Sequence, residues 1–310
     1  MKMESTKEVN FVSAVVYCCN ASTTIGSFVK HLDETLSDNF LKYEIIVVND
    51  ASTDNSVDIV KSLEVNKERC VMTIVNMSHR QGLESSMNAG VDLSIGDFVF
   101  EFDDPVQDFE WSMLMDLYRH SLKGYDIVSA RPQRGTRLSS KLFYALFNHY
   151  ANLQYKISTE SFRVLSRRAI NRVRNITELS PYRKASYANS GMAMDTLPYV
   201  PKLKKKKEKY SDRKSMAVDS LILYTDIAYH LTAGIALFMF LVTIGFALYA
   251  LFTKIYSHPV EGWTTTILFI AFGFSGLFVI LAMILKYLQI IVSLVFKKKY
   301  YLFESIEKLQ

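Results

Sequence analysis

Hydrophobic residues follow two patterns in the first half of the chain. Short apolar, β-branched runs predict strands at residues 11–18, 43–48, 71–75, 98–102 and 126–130. Helix-like segments lie between these runs and predict helices at residues 24–36, 56–63, 83–93 and 111–122. This alternation predicts an α/β fold with a mostly parallel sheet, and ligands of such sheets bind at the carboxyl ends of the strands.

The pattern loosens after residue 130, although helices are still predicted at 141–153 and 169–173. A short strand is predicted at residues 162–165 and a strand pair within 192–203. We therefore assign residues 1–214 to one α/β domain. Residues 215–230 have apolar positions at helical spacing and few charges, which predicts an amphipathic helix in a membrane interface.

Two long apolar runs follow, at residues 231–252 and 264–285, and neither contains a charged residue. Each run has 22 residues by subtraction, enough to cross a hydrocarbon layer of roughly 30 Å at about 1.5 Å per residue. A pair of buried core helices is the alternative, but a soluble domain of this size rarely contains two uncharged helices in succession. We therefore predict a two-helix transmembrane hairpin, followed by a C-terminal helix and tail at residues 286–310.

Basic residues flank the two apolar runs, and they set the expected orientation. The net charge is only +5, from 36 basic and 31 acidic residues. Lysines nevertheless concentrate within residues 202–214 and 297–299, which predicts that the α/β domain and both termini are cytoplasmic. The chain opens without an apolar stretch, so we expect no signal peptide. Its three cysteines fit a reducing compartment.

The lysine cluster at residues 202–214 has two possible partners. A basic residue near an anionic leaflet contributes about 1 kcal/mol of attraction, so membrane lipid explains the cluster. Nucleic acid is disfavoured, because the sequence shows neither interleaved aromatic residues nor a recognition helix. We therefore expect a membrane partner and no nucleic acid.

Carboxylates gather in the loop after the predicted fourth strand, where Glu101, Asp103, Asp104 and Asp108 lie close together. Their mutual repulsion would be relieved by Mg²⁺ or Mn²⁺ bridging a diphosphate. A solvated acidic turn that caps the next helix explains this loop equally well. The loop at residues 49–56, after the second strand, is consistent with a simple helix cap.

Motifs in a fixed order resemble those of a known family. Residues 49–54 (NDASTD), then Gly82, Asn88 and Gly90, then residues 96–97 (GD) resemble the signatures of family 2 glycosyltransferases of GT-A (Rossmann-like) fold. Residues 161–168 (SFRVLSRR), 209–214 (KYSDRK) and 287–304 are similar to the subgroup that glycosylates polyprenyl phosphate. This subgroup contains dolichol-phosphate mannosyltransferases and bactoprenol glucosyltransferases. The resemblance implies an integral membrane protein, expected in a bacterial inner membrane.

The resemblance also implies roles for individual residues. Asn20, Asp50 and Asp103 would bind the nucleotide sugar, and a metal ion, Mg²⁺ or Mn²⁺, would be held by Asp103, Asp104 and Gln107. Catalytic roles fall on Asp103, Asp104 and Arg131, and acceptor-phosphate contacts fall on Arg131, Arg163, Arg213 and Lys214.

Three positions depart from the family pattern. The acidic residue expected after Asn20 is Ala21, the second acid of the D-x-D metal motif falls on Pro105, and an expected aspartate is Ser161. We interpret these changes as signs of an unusual donor sugar, because the basic acceptor-side positions and the hairpin are retained.

The expected function is inverting transfer of a sugar from a UDP- or GDP-linked donor to polyprenyl phosphate. A processive polysaccharide synthase is disfavoured, because the Gln-x-x-Arg-Trp motif and a longer membrane channel are absent from the sequence. A catalytically weakened scaffold or nucleotide-binding protein of the same fold is the alternative. The sequence leaves open the donor sugar, the prenyl length and whether the chain forms a homo-oligomer.

Overall fold

A computed structural model describes residues 7–66, 68–133, 138–151, 153–176, 182–202, 227–257, 262–295 and 301–309. The chain divides into two compact units. The first comprises Met1–Met216 and Lys297–Gln310, and the second comprises Ala217–Phe296. The C-terminal residues therefore belong to the same unit as the N-terminal α/β domain.

The described residues of the first unit form an eight-stranded sheet with the order β7-β5-β6-β4-β1-β2-β3-β8. Strands β6 and β8 run antiparallel to their neighbours and the other pairs are parallel, which confirms the predicted mostly parallel sheet. The strands are β1 (Val12–Cys18), β2 (Tyr43–Asn49), β3 (Cys70–Met77), β4 (Phe98–Phe102), β5 (Ile127–Pro132), β6 (Phe162–Ser166), β7 (Met194–Tyr199) and β8 (Phe303–Leu309).

Helices cover this sheet because each has one apolar face. In α1, Phe28, Leu32 and Leu36 recur at helical spacing and are buried against the strands. The helices of the first unit are α1 (Ile25–Asn39), α2 (Ser56–Lys61), α3 (Leu83–Leu93), α4 (Ser112–Ser121), α5 (Leu138–Tyr150), α6 (Arg167–Ile176) and α7 (Arg183–Ala188).

The C-terminal half of the first unit differs from the sequence prediction in three places. Helix α7 was not predicted, and where a strand pair was expected the described residues, 192–202, contain β7 alone. The tail after the predicted C-terminal helix, for which no strand was predicted, contains β8, which pairs with β3 at the sheet edge. Strand β8 has apolar residues only at every third position and is largely exposed, so its sequence lacks the alternation that predicts a strand.

Gly96 marks a close approach between the turn before β4 and strand β1. Its N–H donates to Ser13 Oγ at 2.8 Å, and a Cβ at this position would lie 2.6 Å from the backbone nitrogen of Ser13. Backbone atoms in a central strand have little freedom to move aside. The glycine is therefore required for packing.

We expect Gly96→Ala to lower the free energy of unfolding by about 1–3 kcal/mol, as overpacking in a core does. Urea unfolding followed by the fluorescence of Trp111, in a Trp263→Phe background, measures this change. An unchanged midpoint would show that strand β1 can shift to accommodate the methyl group.

The second unit contains two long helices, α8 (Ile227–Ser257) and α9 (Trp263–Val295). By length and composition, Ala233–Tyr256 and Trp263–Leu288 are candidate membrane spans, with mean hydropathies of 2.5 and 2.7. Both overlap the runs predicted at residues 231–252 and 264–285. The amphipathic helix predicted at residues 215–230 lies outside the described residues except for its last four positions, which begin α8.

Candidate active site

The loops after β1 and β2 are tied together by Asn20. Its Oδ1 accepts hydrogen bonds from Thr53 N at 2.8 Å and Thr53 Oγ1 at 3.3 Å, and its own N–H donates to Ser52 Oγ at 3.0 Å. Asn20 and Ala51 both adopt left-handed backbone conformations, with φ of 52° and 50°. Such strain in non-glycine residues is concentrated at functional sites. Asn20 is exposed, and its predicted contact with a nucleotide sugar stays a prediction.

Asp50, by contrast, is completely buried and supports the neighbouring loop. Its carboxylate accepts hydrogen bonds from the backbone N–H groups of Gln81 at 2.7 Å and Gly82 at 2.9 Å, and from Tyr17 Oη at 2.8 Å. In this structure Asp50 presents no surface to a nucleoside. The carboxylate therefore supports the Gln81–Gly82 turn, and its predicted contact with the nucleotide sugar stays a prediction.

Asp103 follows β4 at the carboxyl edge of the sheet and lies between two buried arginines. Its Oδ2 accepts a hydrogen bond from Arg163 Nη2 at 3.0 Å, and its Oδ1 accepts one from Arg183 Nη2 at 2.6 Å. The arginine side chains are each 1% exposed, whereas the Asp103 side chain is 17% exposed. The two guanidinium groups therefore fix the orientation of a carboxylate that still reaches the surface.

Arg163 is held by three acids. Besides Asp103, it pairs with Glu101 through Nη1 at 2.6 Å and with Glu160 through Nε at 3.1 Å. Glu101 is fully buried. The donors of Arg163 are directed inward at carboxylates in this structure, and its predicted contact with the acceptor phosphate stays a prediction.

Arg183 begins α7 and joins the same cluster from another side. It pairs with Glu84 of α3 at 3.0 Å and with Glu101 at 2.9 Å, in addition to Asp103. Tyr187, one turn later, donates to Glu101 Oε1 at 2.6 Å. No local pattern indicates these partners, because a charged side chain on a short helix resembles an ordinary solvated residue.

Neighbouring charges determine whether the Asp103 carboxyl and the Arg163 guanidinium are charged. Burial by itself would raise the pKa of the Asp103 carboxyl, but the positive charges of Arg163, Arg183 and Lys184 outweigh it and hold the pKa well below its usual range. The pKa of Arg163 is raised well above its ordinary value, since Asp103, Glu101 and Glu160 outweigh its desolvation. Both partners therefore remain charged at neutral pH.

Oxygen donors near Asp103 fit a hard divalent cation. Each Asp103 oxygen accepts one arginine hydrogen bond and keeps a lone pair, and Asp104 and Gln107 are partly exposed nearby in the chain. Among the residues that the structure describes, no group of three or more His, Cys, Asp or Glu side chains is placed to hold a metal. Such a donor set fits Mg²⁺ or Mn²⁺ when water and phosphate complete the coordination.

Arg131 lies at the exposed end of β5 and lines a cavity of about 420 Å³. Lys141 and Tyr144 of α5 form another part of its wall, and Ser158 and Thr159 complete it. Within the described part of the chain, this cavity therefore has two cationic side chains and several hydroxyl groups in its lining. These groups are suited to an anionic ligand.

Lys184 links this cavity to the ion cluster around Asp103. Lys184, adjacent to Arg183, lies with Nζ 3.4 Å from Tyr144 Oη and 3.5 Å from the Ser158 carbonyl oxygen. Burial would lower the pKa of Lys184, but Tyr144 and Glu160 outweigh this effect and raise it, so the ammonium stays charged. The predicted residues Arg213 and Lys214 lie outside the described residues.

Known proteins share this architecture. A mannosyltransferase from Pyrobaculum calidifontis, solved in complex with GDP-Man and Mn²⁺, matches with a TM-score of 0.50 at 18% identity, over 69% of this chain and 63% of that one. The sheet and the acids at its carboxyl edge define a glycosyltransferase domain of the GT-A fold. The profile of glycosyl transferase family 2 matches residues 13–174, more than half of the 310 residues, and the chain belongs to that family.

The relatives that match this chain share a low sequence identity with it. An uncharacterized glycosyltransferase of Synechocystis sp. is 27% identical over 184 residues, which cover 57% of this chain and 57% of that protein. A prophage bactoprenol glucosyl transferase homolog of Escherichia coli is 27% identical over 195 residues, covering 61% of this chain and 63% of that protein. The matches thus span less than two thirds of either relative.

Proposed function

We propose that this protein transfers a sugar from a nucleotide sugar to a polyprenyl phosphate, with inversion at the anomeric carbon. The observation that carries the proposal is Asp103, oriented by two buried arginines at the carboxyl edge of the sheet and joined through Lys184 to a cationic cavity. The Asp103 side of the site suits a nucleotide diphosphate, and the cationic cavity suits an acceptor phosphate.

A lipid acceptor is supported by two independent observations. Relatives named bactoprenol glucosyl transferase match the chain at 27% identity. Two helices are long and apolar enough to cross a membrane. A polyprenyl phosphate keeps its head group at the membrane surface, so an anchored enzyme is suited to it. The lysine-rich flanks favour a cytoplasmic domain and cytoplasmic termini, as in a bacterial inner membrane protein.

The acceptor supplies its own nucleophile. A phosphate monoester has a second pKa of about 6, so it carries an oxyanion at neutral pH and needs no general base. Arg131 and Lys141 would bind that phosphate through charge-assisted hydrogen bonds and hold its oxygen in line with the anomeric carbon. The chain then acts by positioning and by charge, in a single displacement.

The donor diphosphate leaves from the Asp103 side of the site. A divalent cation held by Asp103, Asp104 and Gln107 would neutralise the charge that develops on the departing diphosphate. Arg163 and Arg183 keep the Asp103 carboxylate ionised and aimed at the surface. These two arginines are positioning residues, since their donors are used by buried acids.

The deciding experiment is transfer from a panel of radiolabelled UDP- and GDP-sugars to polyprenyl phosphate in liposomes that contain the full chain. We expect at least one sugar to appear in the lipid fraction and transfer to stop when a chelator is added. Absence of lipid-linked sugar across a broad panel would overturn the proposal.

Arg131→Ala is expected to raise the KM for polyprenyl phosphate by about 10- to 100-fold, because a hydrogen bond to a charged group contributes about 1.5–3 kcal/mol. Steady-state kinetics with varied acceptor measures this change. Arg119→Ala, which removes an exposed arginine from α4, is the matched control and should leave the KM unchanged. Equal KM values for both variants would remove Arg131 from the acceptor site.

A nucleotide-binding protein without catalysis is the second candidate. Two observations favour it: Pro105 stands where the family's second acid is expected, and both oxygens of Asp103 are already paired with arginines. Calorimetric titration with UDP and GDP, with and without Mn²⁺, separates the candidates. Nucleotide binding that is independent of Mn²⁺, together with no sugar transfer, would favour the non-catalytic protein.

A further inference from the structure

Strand β8, near the C-terminus, pairs with the edge of the sheet. It begins beside the loop at residues 78–82, which follows β3. Strand β8 pairs antiparallel with β3, from Met77 opposite Phe303 to Met72 opposite Leu309. Side chains add to this pairing, since Asn76 Nδ2 donates to Ser305 Oγ at 3.0 Å and Glu307 Oε1 at 2.8 Å. The tail is therefore an integral part of the sheet.

Just before β8, the backbone of Leu302 is held by the loop at residues 78–82. Gln81 contacts both polar groups of this residue: its Oε1 accepts from Leu302 N at 2.9 Å, and its Nε2 donates to the Leu302 carbonyl oxygen. Ser78 N donates to the same carbonyl at 3.1 Å. One amide side chain thus pairs with an entire peptide residue of the tail.

The backbone of Gln81 is fixed from the opposite side. Its N–H and that of Gly82 donate to the two carboxylate oxygens of Asp50, at the end of β2. Gly82 has a φ of +85°, a conformation that suits glycine, and it immediately precedes α3. Gln81 therefore stands between the tail and the carboxyl edge of the parallel strands, where ligands of such sheets bind.

We propose that Gln81 is a positioning residue for donor binding, and that it acts by fastening the loop at residues 78–82 to the C-terminal tail. This inference rests on the proposed function. Residues 296–302 separate α9 from β8 in the chain, so the segment that follows the second candidate span supplies the fastening point. Loss of the amide side chain removes the link to the tail and leaves the turn held by Asp50 alone, so the donor site becomes less ordered.

The test is calorimetric titration of the full chain in detergent with UDP and with GDP, each with Mn²⁺. We expect Gln81→Ala to weaken nucleotide binding by about tenfold, the effect of losing two hydrogen bonds of ordinary strength. In donor-saturation kinetics the same variant should raise the donor KM and leave kcat nearly unchanged. Lys61→Ala, which removes only an exposed ion pair with Glu307, is the control and should bind as wild type does.

Gln81→Glu is the second variant, and it keeps the test decisive if Gln81→Ala fails to fold. It keeps the side-chain length and the acceptor for Leu302 N but loses the donor to the Leu302 carbonyl, so we expect weaker nucleotide binding than in wild type. Wild-type affinity in both Gln81 variants would overturn the inference. If wild-type protein itself binds neither nucleotide, the proposed function fails instead, so the two failures are distinguishable.

Discussion

Replacing Arg163 by methionine is expected to lower the free energy of unfolding of the first unit by about 3–5 kcal/mol, as removal of one partner from a buried ion cluster does. The variant leaves Glu101, Asp103 and Glu160 without the guanidinium that each now contacts. Losing the guanidinium destabilises Glu101 most, because this carboxylate is fully buried. Urea unfolding followed by Trp111 fluorescence, in a Trp263→Phe background, measures the loss.

Two variants identify the cause of this loss. Lys202→Met removes a lysine whose side chain is 50% exposed and pairs with Glu110, which is 65% exposed, and it should change the midpoint little. Adding Glu101→Gln to Arg163→Met removes one unpaired buried charge and should recover part of the stability. If Arg163→Met unfolds at the wild-type midpoint, the cluster does not contribute to stability as its burial implies.

Asp103→Asn is expected to reduce sugar transfer by at least about 100-fold, the usual effect of removing one group that stabilises developing charge. The amide oxygen can still accept from one arginine, but its NH₂ group faces the donors of the other. The variant should nevertheless fold, because Arg163 and Arg183 both retain Glu101. Liposome transfer assays and urea unfolding on the same preparation separate activity from stability.

Asp104→Asn is the matched control, since it changes the adjacent acid. A larger loss of transfer in Asp103→Asn than in Asp104→Asn would assign the main charge to Asp103. Near-normal turnover in Asp103→Asn would remove the metal assignment, and equal losses in both variants would show that the two acids share the role.

Regular elements were predictable because their signals are local. The β-branched runs gave β1, β2, β3 and β4 to within one or two residues, and the period of α3 gave its bounds correctly. Strand β8 escaped prediction because its exposed, half-polar sequence is no more strand-like than many loops. Its pairing partner β3 lies more than two hundred residues earlier, as the Asn76–Glu307 bond shows.

The sequence by itself determined the alternation of strands and helices, the two apolar spans and the presence of acids after β4. These features depend on periodicity and composition within a few residues. Only the tertiary structure decided that Arg163 is buried and that Arg183, 80 residues from Asp103 in the chain, holds that carboxylate. Many arginines are equally charged in the sequence, and only folding determines which of them loses water and which acid it meets.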